Sequence, residues 1–330
     1  MHNFGVLVAA PAGGEAARGG ALTGGDDSQL DGQSGQDLLD ALTRLGHRAT
    51  LVTCDPDPLQ ALDRAAATPH GPITACVLAT HGSLGGSGTL QGLLELRGIP
   101  HSGPPAAATA LAFDKLRARQ ILGCHSLPVP TSLSLGPDLN RRDLALLGWP
   151  AVIKPRRGSL GAGVRFLDDP AAIAAAVVGS DEWLVERAVD GREIQVVLLD
   201  GKVLGAMEVE HDTPGQICAM VCPPTLPRSR RHGIDHLATR AAAALGLTRG
   251  PVRVDVLLHE RHNEVILEVE PLPPLHRAGV VAKVARAAGL QYDALVARVI
   301  GAPGASVPAR TPARPVYTHI AATEAAAVLQ

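Results

Sequence analysis

The chain has 330 residues, a formal net charge of −2 and only 2% aromatic residues. That length supplies two or three modest domains with real cores, whereas near-neutral charge and scarce aromatics exclude a nucleic-acid groove, a base-stacking platform and a polybasic membrane patch. Apolar runs are broken within about ten residues, short of a membrane span, and residues 4–10 are strand-like, without the basic start of a signal peptide. The expectation is a cytoplasmic protein acting on small molecules, with no nucleic-acid and no membrane partner.

Strand–helix alternation opens the chain. A strand at 4–10 precedes a Gly-rich stretch, 11–33, and a helix at 34–45 that puts Leu38, Leu39, Leu42 and Leu45 on one face and stops at Gly46. A strand at 49–53, a helix at 57–67 and a strand at 73–79 follow. Short connections of this kind imply a parallel sheet, and ligands of such sheets bind beyond the carboxyl ends of the strands. His81 and Gly82 stand at such an end, ahead of a helix at 89–97 whose free N–H groups favour an anion.

A second unit begins near Pro104 with one helix at 106–122. A strand at 151–154 runs into Lys154-Pro155-Arg156-Arg157-Gly158-Ser159-Leu160-Gly161-Ala162-Gly163, followed by a strand at 164–167, a helix at 170–178 and a strand at 183–187. The loop lacks the GxxxxGK[ST] pattern. A glycine loop between two strands can still close over phosphates with backbone N–H groups and the Ser159 hydroxyl, while Lys154 neutralises charge. The bland alternative is a flexible hairpin loop with an incidental lysine. The chain has 26 Arg but only four Lys, namely Lys115, Lys154, Lys202 and Lys283, so each retained ammonium is informative. Five scattered cysteines without a CxxC pair predict reduced thiols and no zinc site.

The third unit opens with a hairpin, 192–199 and 202–209, turning at Asp200-Gly201. A helix at 231–245 leads to two strands, 252–258 and 264–270, in which apolar and charged residues alternate. Side chains two apart share a strand face. A turn near Arg261-His262 places Asp255 opposite Glu268, and gathers Arg253, Asp255, Glu268 and Glu270 on one face. Crowded carboxylates resist joint ionisation, and a hard cation held by oxygen ligands relieves them. The face is therefore a candidate metal–nucleotide site, although the same alternation also describes any half-solvated antiparallel strand. A helix at 279–289 and a Pro- and Ala-rich peripheral tail, 303–330, end the chain.

These pieces resemble the D-alanine–D-alanine ligases of the ATP-grasp superfamily. The resemblance rests on His81-Gly82, residues 89–100, Phe113-Asp114-Lys115, Val152-Ile153-Lys154-Pro155, Leu184-Val185-Glu186, Gly191-Arg192-Glu193, Arg253-Val254-Asp255 and Glu268-Val269-Glu270, in the family's order and spacing. It implies an ATP-grasp fold of the α/β class (α+β in places), with an N-terminal domain at 1–104, a central one at 105–190 and a C-terminal one at 191–302. ATP would lie between the last two. Lys115 and Lys154 resemble the lysines on the ATP phosphates, and Gly158 and Ser159 the start of the phosphate loop. Glu186 and the backbone of Val189 match the adenine contacts, and Glu193 the ribose contact. Asp255, Glu268 and Glu270 match the ligands of Mg²⁺, with Mn²⁺ as an alternative. Arg253 matches the arginine that steadies the acyl phosphate. Family members are often homodimers.

The departures fall on the substrate side. A backbone N–H donor of the family is replaced by Pro274, which has none, and an acceptor-binding serine by Gly279. A Glu-Asp pair reads Gly86-Ser87, the lid segment between the hairpin at 192–209 and Cys222 looks short, and Asp27 stands where a substrate-binding Glu is expected. His81, Gly82, Asp27 and Gly279 are the candidate substrate residues. His211 and His276 could also act near the substrate. The expected function is an ATP-dependent carboxylate–amine ligase that forms a peptide or amide bond through an acyl phosphate, using non-standard amino-acid or peptide substrates in specialised metabolism such as antibiotic biosynthesis. The alternatives are D-alanine–D-alanine ligase proper, a ring-closing ATP-grasp ligase acting within one substrate and, in another class, an ATP-binding protein without ligase activity.

Overall fold

The computed structural model describes residues 2–9, 27–54, 57–137, 139–158, 161, 163–169, 171–174, 182–213, 216–259 and 263–301. Ser159, the turn at Arg261-His262 and the tail 303–330 lie outside the described residues.

The first layer is β1 (Asn3–Val8), α1 (Asp27–Arg44), β2 (Arg48–Thr53), α2 (Pro58–Ala66) and β3 (Ala75–Leu78), then α3 (Gly82–Gly86) and α4 (Thr89–Leu96). The strands form a parallel sheet, as predicted, and its order is β2-β1-β3. All six residues of β1 are buried, the pattern of a strand covered on both faces. The first helix begins well before the expected residue 34. It is stopped where predicted: Gly46 takes φ +80°, with His47 N–H bonding to Leu42 O and Gly46 N–H to Thr43 O, the paired bonds that close a helix end.

Two helices, α5 (Ala106–Phe113) and α6 (Lys115–Cys124), replace the single helix expected at 106–122. The break is Asp114, whose backbone is extended and whose carboxylate caps α6 by accepting the Arg117 N–H. A small antiparallel sheet follows. It is built from β4 (Ser132–Ser134), β5 (Ala151–Pro155), β6 (Arg165–Leu167) and β7 (Trp183–Arg187), with α7 (Arg141–Leu147) and α8 (Ala171–Ala174) beside them, in the order β4-β7-β5-β6.

The last part contains β8 (Arg192–Leu199), β9 (Lys202–Thr213), β10 (Gln216–Val221), α9 (Arg228–Ala244), β11 (Pro251–Leu258), β12 (Val265–Glu270), α10 (Val280–Ala287) and α11 (Tyr292–Ile300). Its five strands form an antiparallel sheet, β10-β9-β8-β11-β12. The segment read as a short lid loop is instead an extension of β9 paired with β10, from Glu208–Val221 to Thr213–Gln216.

Packing sets the cleft. One apolar cluster joins Val6, Leu38 and Val77 of the first layer to Val197, Met207, Val281 and Leu295 of the last. Another packs α5, α6 and α9 on the opposite face of the five-stranded sheet. The small sheet has its own core around Leu135, Ile153 and Val185. Its strands therefore stand as a separate layer facing β11 and β12, with α6 bridging between them. No helix among the described residues is long and apolar enough to cross a membrane.

Candidate active site

The register of β11 and β12 sets Asp255 opposite Glu268 and Arg253 opposite Glu270, as the alternation predicts. Residues directly opposite in a pair share a face, so one guanidinium and three carboxylates lie side by side. Their side chains are already engaged. Arg253 grips Asp255 through two bonds of 2.7 and 2.9 Å. Lys115 Nζ lies 3.0 Å from Glu268, and Glu270 accepts the Leu272 N–H at 3.1 Å. Among the described residues, no three His, Cys, Asp or Glu side chains are grouped as ligands of one ion. The backbone brings the carboxylates together, and for three of the four charged groups a neighbouring ion pair decides where they turn.

The charges remain in tension. Burial pushes the Asp255 carboxyl above its usual range against the pull of Arg253, and the nearby carboxylates of Glu193 and Glu268 add to the rise. Burial also raises Glu270. Glu268 is equally buried, but Lys115 and Lys154 hold it below its ordinary value.

A bulge interrupts the pair: Asp255 faces Glu268, yet Val256 faces Ile266, which leaves Leu267 as the extra residue. The Leu267 carbonyl is thereby released from the ladder and accepts Arg119 Nη2 at 2.6 Å. The same guanidinium holds Glu186 on β7 with bonds of 3.0 and 3.2 Å. Lys154 Nζ lies 2.5 Å from Glu186 Oε2, and Ser132 Oγ stands 3.0 Å from Oε1, its one proton shared between Glu186 and the Pro130 carbonyl at 2.9 Å. A carboxylate has about four lone-pair positions, and Glu186 is 2% exposed with four donors around it. Burial alone would raise its pKa; Lys154 and Arg119 overcome that and hold it down to about 2. Burial lowers Lys154 in turn.

Lys115 begins α6, and its ammonium also reaches the Gly158 carbonyl at the mouth of the glycine loop. Asp114, one residue earlier, takes two bonds from Arg156, at 2.8 and 2.7 Å, so the loop strand is pinned to the start of the helix. Glu193, at the start of β8, accepts Gln195 Nε2 at 2.8 Å and faces His211 Nε2 at 3.1 Å, which raises the His211 pKa. Val189 lies in the connector between β7 and β8. Of the predicted site residues, Lys115 is thus bonded directly to Gly158 and Glu268, and Lys154 to Glu186. Arg119, Ser132 and Asp114 were not anticipated. The signal for Arg119 was its place four residues after Lys115, one turn on along the same helix face.

On the other wall, His81 precedes α3, which Gly82 opens, and it is 8% exposed. Its imidazole pairs with Asp31 of α1. Asp27 is the first residue of α1. Of the Glu-Asp pair replaced by Gly86-Ser87, the first position has no room for a side chain as the ring now stands: a Cβ on Gly86 would come within 2.4 Å of the Phe113 ring. Nothing in the structure explains Ser87. At Gly279, which caps α10, an added Cβ would sit 3.1 Å from His276 Nε2 and 3.1 Å from the His276 carbonyl. The His276 imidazole fills the space beside residue 279, and its buried Nδ1 has no partner among the described residues.

The chain matches the family model described as "D-ala D-ala ligase C-terminus" over residues 136–301. A D-alanine–D-alanine ligase of Gloeobacter violaceus is 32% identical over 301 residues, covering 84% of this chain and 97% of that protein. One of Desulforudis audaxviator is 33% identical over 304 residues, covering 85% and 96%. Among solved structures, a D-alanine–D-alanine ligase of Bacillus anthracis complexed with ATP superposes with a TM-score of 0.76 at 24% identity, covering 92% of this chain and 97% of that one. The VanG D-Ala:D-Ser ligase of Enterococcus faecalis gives 0.74 at 18% identity, covering 92% and 99%. The structural likenesses establish the fold, an α/β ATP-grasp arrangement with one parallel and two antiparallel sheets.

Proposed function

The chain belongs to the D-alanine–D-alanine ligase family of ATP-grasp carbon–nitrogen ligases, and from that premise we propose that it joins two D-alanine molecules through an acyl phosphate made from ATP. The observation that carries the reading is the run of direct bonds from Gly158 through Lys115 to Glu268, and from Lys154 through Glu186 to Arg119. It ties the glycine loop, the small sheet and the carboxylate hairpin into one cleft. The similarity to proteins named D-alanine–D-alanine ligase extends over more than four-fifths of the chain. It favours this alternative over non-standard substrates in specialised metabolism.

Asp255, Glu268 and Glu270 suit a hard divalent cation by donor chemistry: three carboxylates from two paired strands, two of them raised by burial and so short of positive charge. Bound there, Mg²⁺ would neutralise phosphate charge during transfer. The residues of the chain do the rest. Lys115 and Lys154 neutralise phosphate oxygens. Ser159 and Gly158 belong to the loop that covers them. Arg253 stabilises the oxyanion that forms when the amine attacks. Glu193 is the ribose acceptor, held ready by Gln195 and His211. Glu186 and the Val189 backbone face the adenine. With four donors on Glu186, adenine gains an acceptor there only as Lys154 turns toward phosphate, so base and phosphate binding reinforce each other.

The experiment is D-alanine-dependent release of inorganic phosphate, with the dipeptide confirmed by mass spectrometry. Lys154→Ala and Asp255→Asn should each lower turnover by about 10²–10³-fold, the usual cost of removing one electrostatic contact to a transferring group. Wild-type rates in both variants would remove the proposed site.

A second reading is an acceptor other than D-alanine, favoured by Pro274 and by the His276 ring beside Gly279. On a panel of D-amino and D-hydroxy acids, Gly279→Ser should displace that ring. It should change the acceptor KM by about tenfold, the scale of one hydrogen bond to a charged group, with the ATP KM unchanged. An unmoved acceptor KM would detach residue 279 from acceptor binding.

A further inference from the structure

The carboxylate of Asp31 is wholly buried, and among the described residues its donors are two backbone N–H groups and one imidazole. It accepts the Ala9 N–H at 3.3 Å, at the end of β1, and the His81 N–H at 3.0 Å, in the turn after β3. The remaining partner is His81 Nδ1. A buried carboxylate without a Lys or Arg partner is costly unless its lone pairs are filled. Here three separate elements, β1, α1 and the turn after β3, converge to fill them.

This contact has a chemical consequence for the ring. An ionised carboxylate only accepts, so the Nδ1 facing it must carry the proton. In the neutral ring Nε2 then keeps its lone pair, and the hydrogen bonds of His81 among the described residues run through its backbone N–H and Nδ1, not Nε2. His81 stands beyond the carboxyl end of the parallel sheet, where such sheets bind ligands. Its ring lies near Glu270 and His276.

We propose that Asp31 is a positioning residue. It holds His81 as the Nδ1–H tautomer and presents Nε2 as a hydrogen-bond acceptor for the ammonium group of an amino-acid substrate. The substrate half of this statement rests on the ligase reading above; the tautomer half does not. The pairing resembles in logic the carboxylate that orients a catalytic imidazole: removal of the carboxylate leaves the ring in place but free to take the wrong tautomer.

Two measurements on the full chain test it. The first is the ¹⁵N spectrum of the labelled imidazole rings, with the His81 signal assigned by its loss in His81→Gln. The expected result is a protonated Nδ1 and an unprotonated Nε2 in the wild type, and a tautomer mixture in Asp31→Asn. A wild-type ring protonated at Nε2 overturns the proposal whether or not the protein is a ligase. The second is a double-mutant cycle on D-alanine-dependent phosphate release. Asp31→Asn and His81→Gln should each raise the amino-acid KM about tenfold and leave the ATP KM unchanged. The double variant should be no worse than His81→Gln, since Asp31 acts through that ring. Additive effects, or an equal change in the ATP KM, would show a general structural role instead. Should Asp31→Asn fail to fold, Asp31→Ser takes its place in the cycle, and the wild-type spectrum stands by itself. A wild type without D-alanine-dependent phosphate release would sink the ligase reading and the substrate half, while the spectrum still decides the tautomer.

Discussion

An Arg253→Ala variant is expected to lose about 10²–10³-fold in kcat, the range found when one fixed donor to a developing oxyanion is removed from a closed site. The side chain is 12% exposed, and its two bonds to Asp255 keep the fork rigid. A preorganised cation in such a place needs no rearrangement as charge appears, which is why its loss falls on turnover more than on nucleotide binding. Burial works against the charged guanidinium, but Asp255, Glu270 and Glu268 keep it firmly protonated. Truncation therefore does two things. It deletes the oxyanion partner, and it strands Asp255 among like charges, so the melting temperature should fall as well. Arg253→Lys separates these effects. The ammonium restores a positive charge beside Asp255 but cannot reproduce the two-pronged contact, so stability should return further than kcat does. Phosphate-release kinetics at saturating ATP, measured beside thermal melts, check both. An Arg253→Ala enzyme with wild-type kcat would take Arg253 out of the reaction.

The carboxylate face was legible in the sequence because strand periodicity is a local property. Alternation along 252–258 and 264–270 dictates which side chains share a face, and the observed register sets Asp255 against Glu268 as that alternation requires. The bulge at Leu267 was not legible, since nothing in Leu267 itself marks it as the unpaired residue. Its reason is distant: a carbonyl for Arg119, 148 residues away in sequence. The same holds for Glu186. Its position at the end of an apolar strand suggested a functional carboxylate, yet its partners come from α6, β4 and β5, which only tertiary packing brings together. Asp114 shows a different miss. Apolar spacing runs across residues 106–122, and it outweighed a residue type that favours helix starts. At Gly86, which looked like lost function, the Phe113 ring occupies the space of a Cβ, and at Gly279 the His276 ring leaves only a tight fit.

The Glu186 cluster carries the largest expected effect on stability. Removing one member of a buried, hydrogen-bonded ion pair costs about 3–5 kcal/mol. Arg119→Ala takes both guanidinium bonds from Glu186, leaving Lys154 and Ser132 to hold it, and also leaves the Leu267 carbonyl without its donor, so the cost should lie near the lower end, about 3 kcal/mol. For a chain of this size that should lower the melting temperature by roughly 10 °C, at about 2–4 °C per kcal/mol. Arg119→Lys should recover part of the loss, with one ammonium in place of a two-pronged contact. The pH dependence gives an independent check. Glu186 is held at about 2 in the folded protein, below its ordinary value of 4.5, so its contribution is complete above that unfolded value and is lost as pH falls through about 2. Without Arg119 the folded value should rise toward the unfolded one. The variant then has less of this stability at neutral pH and a correspondingly shallower decline in acid, which denaturant melts between about pH 5 and pH 3 would register. A variant with the wild-type slope and midpoint would mean that Lys154 and Ser132 alone secure the carboxylate.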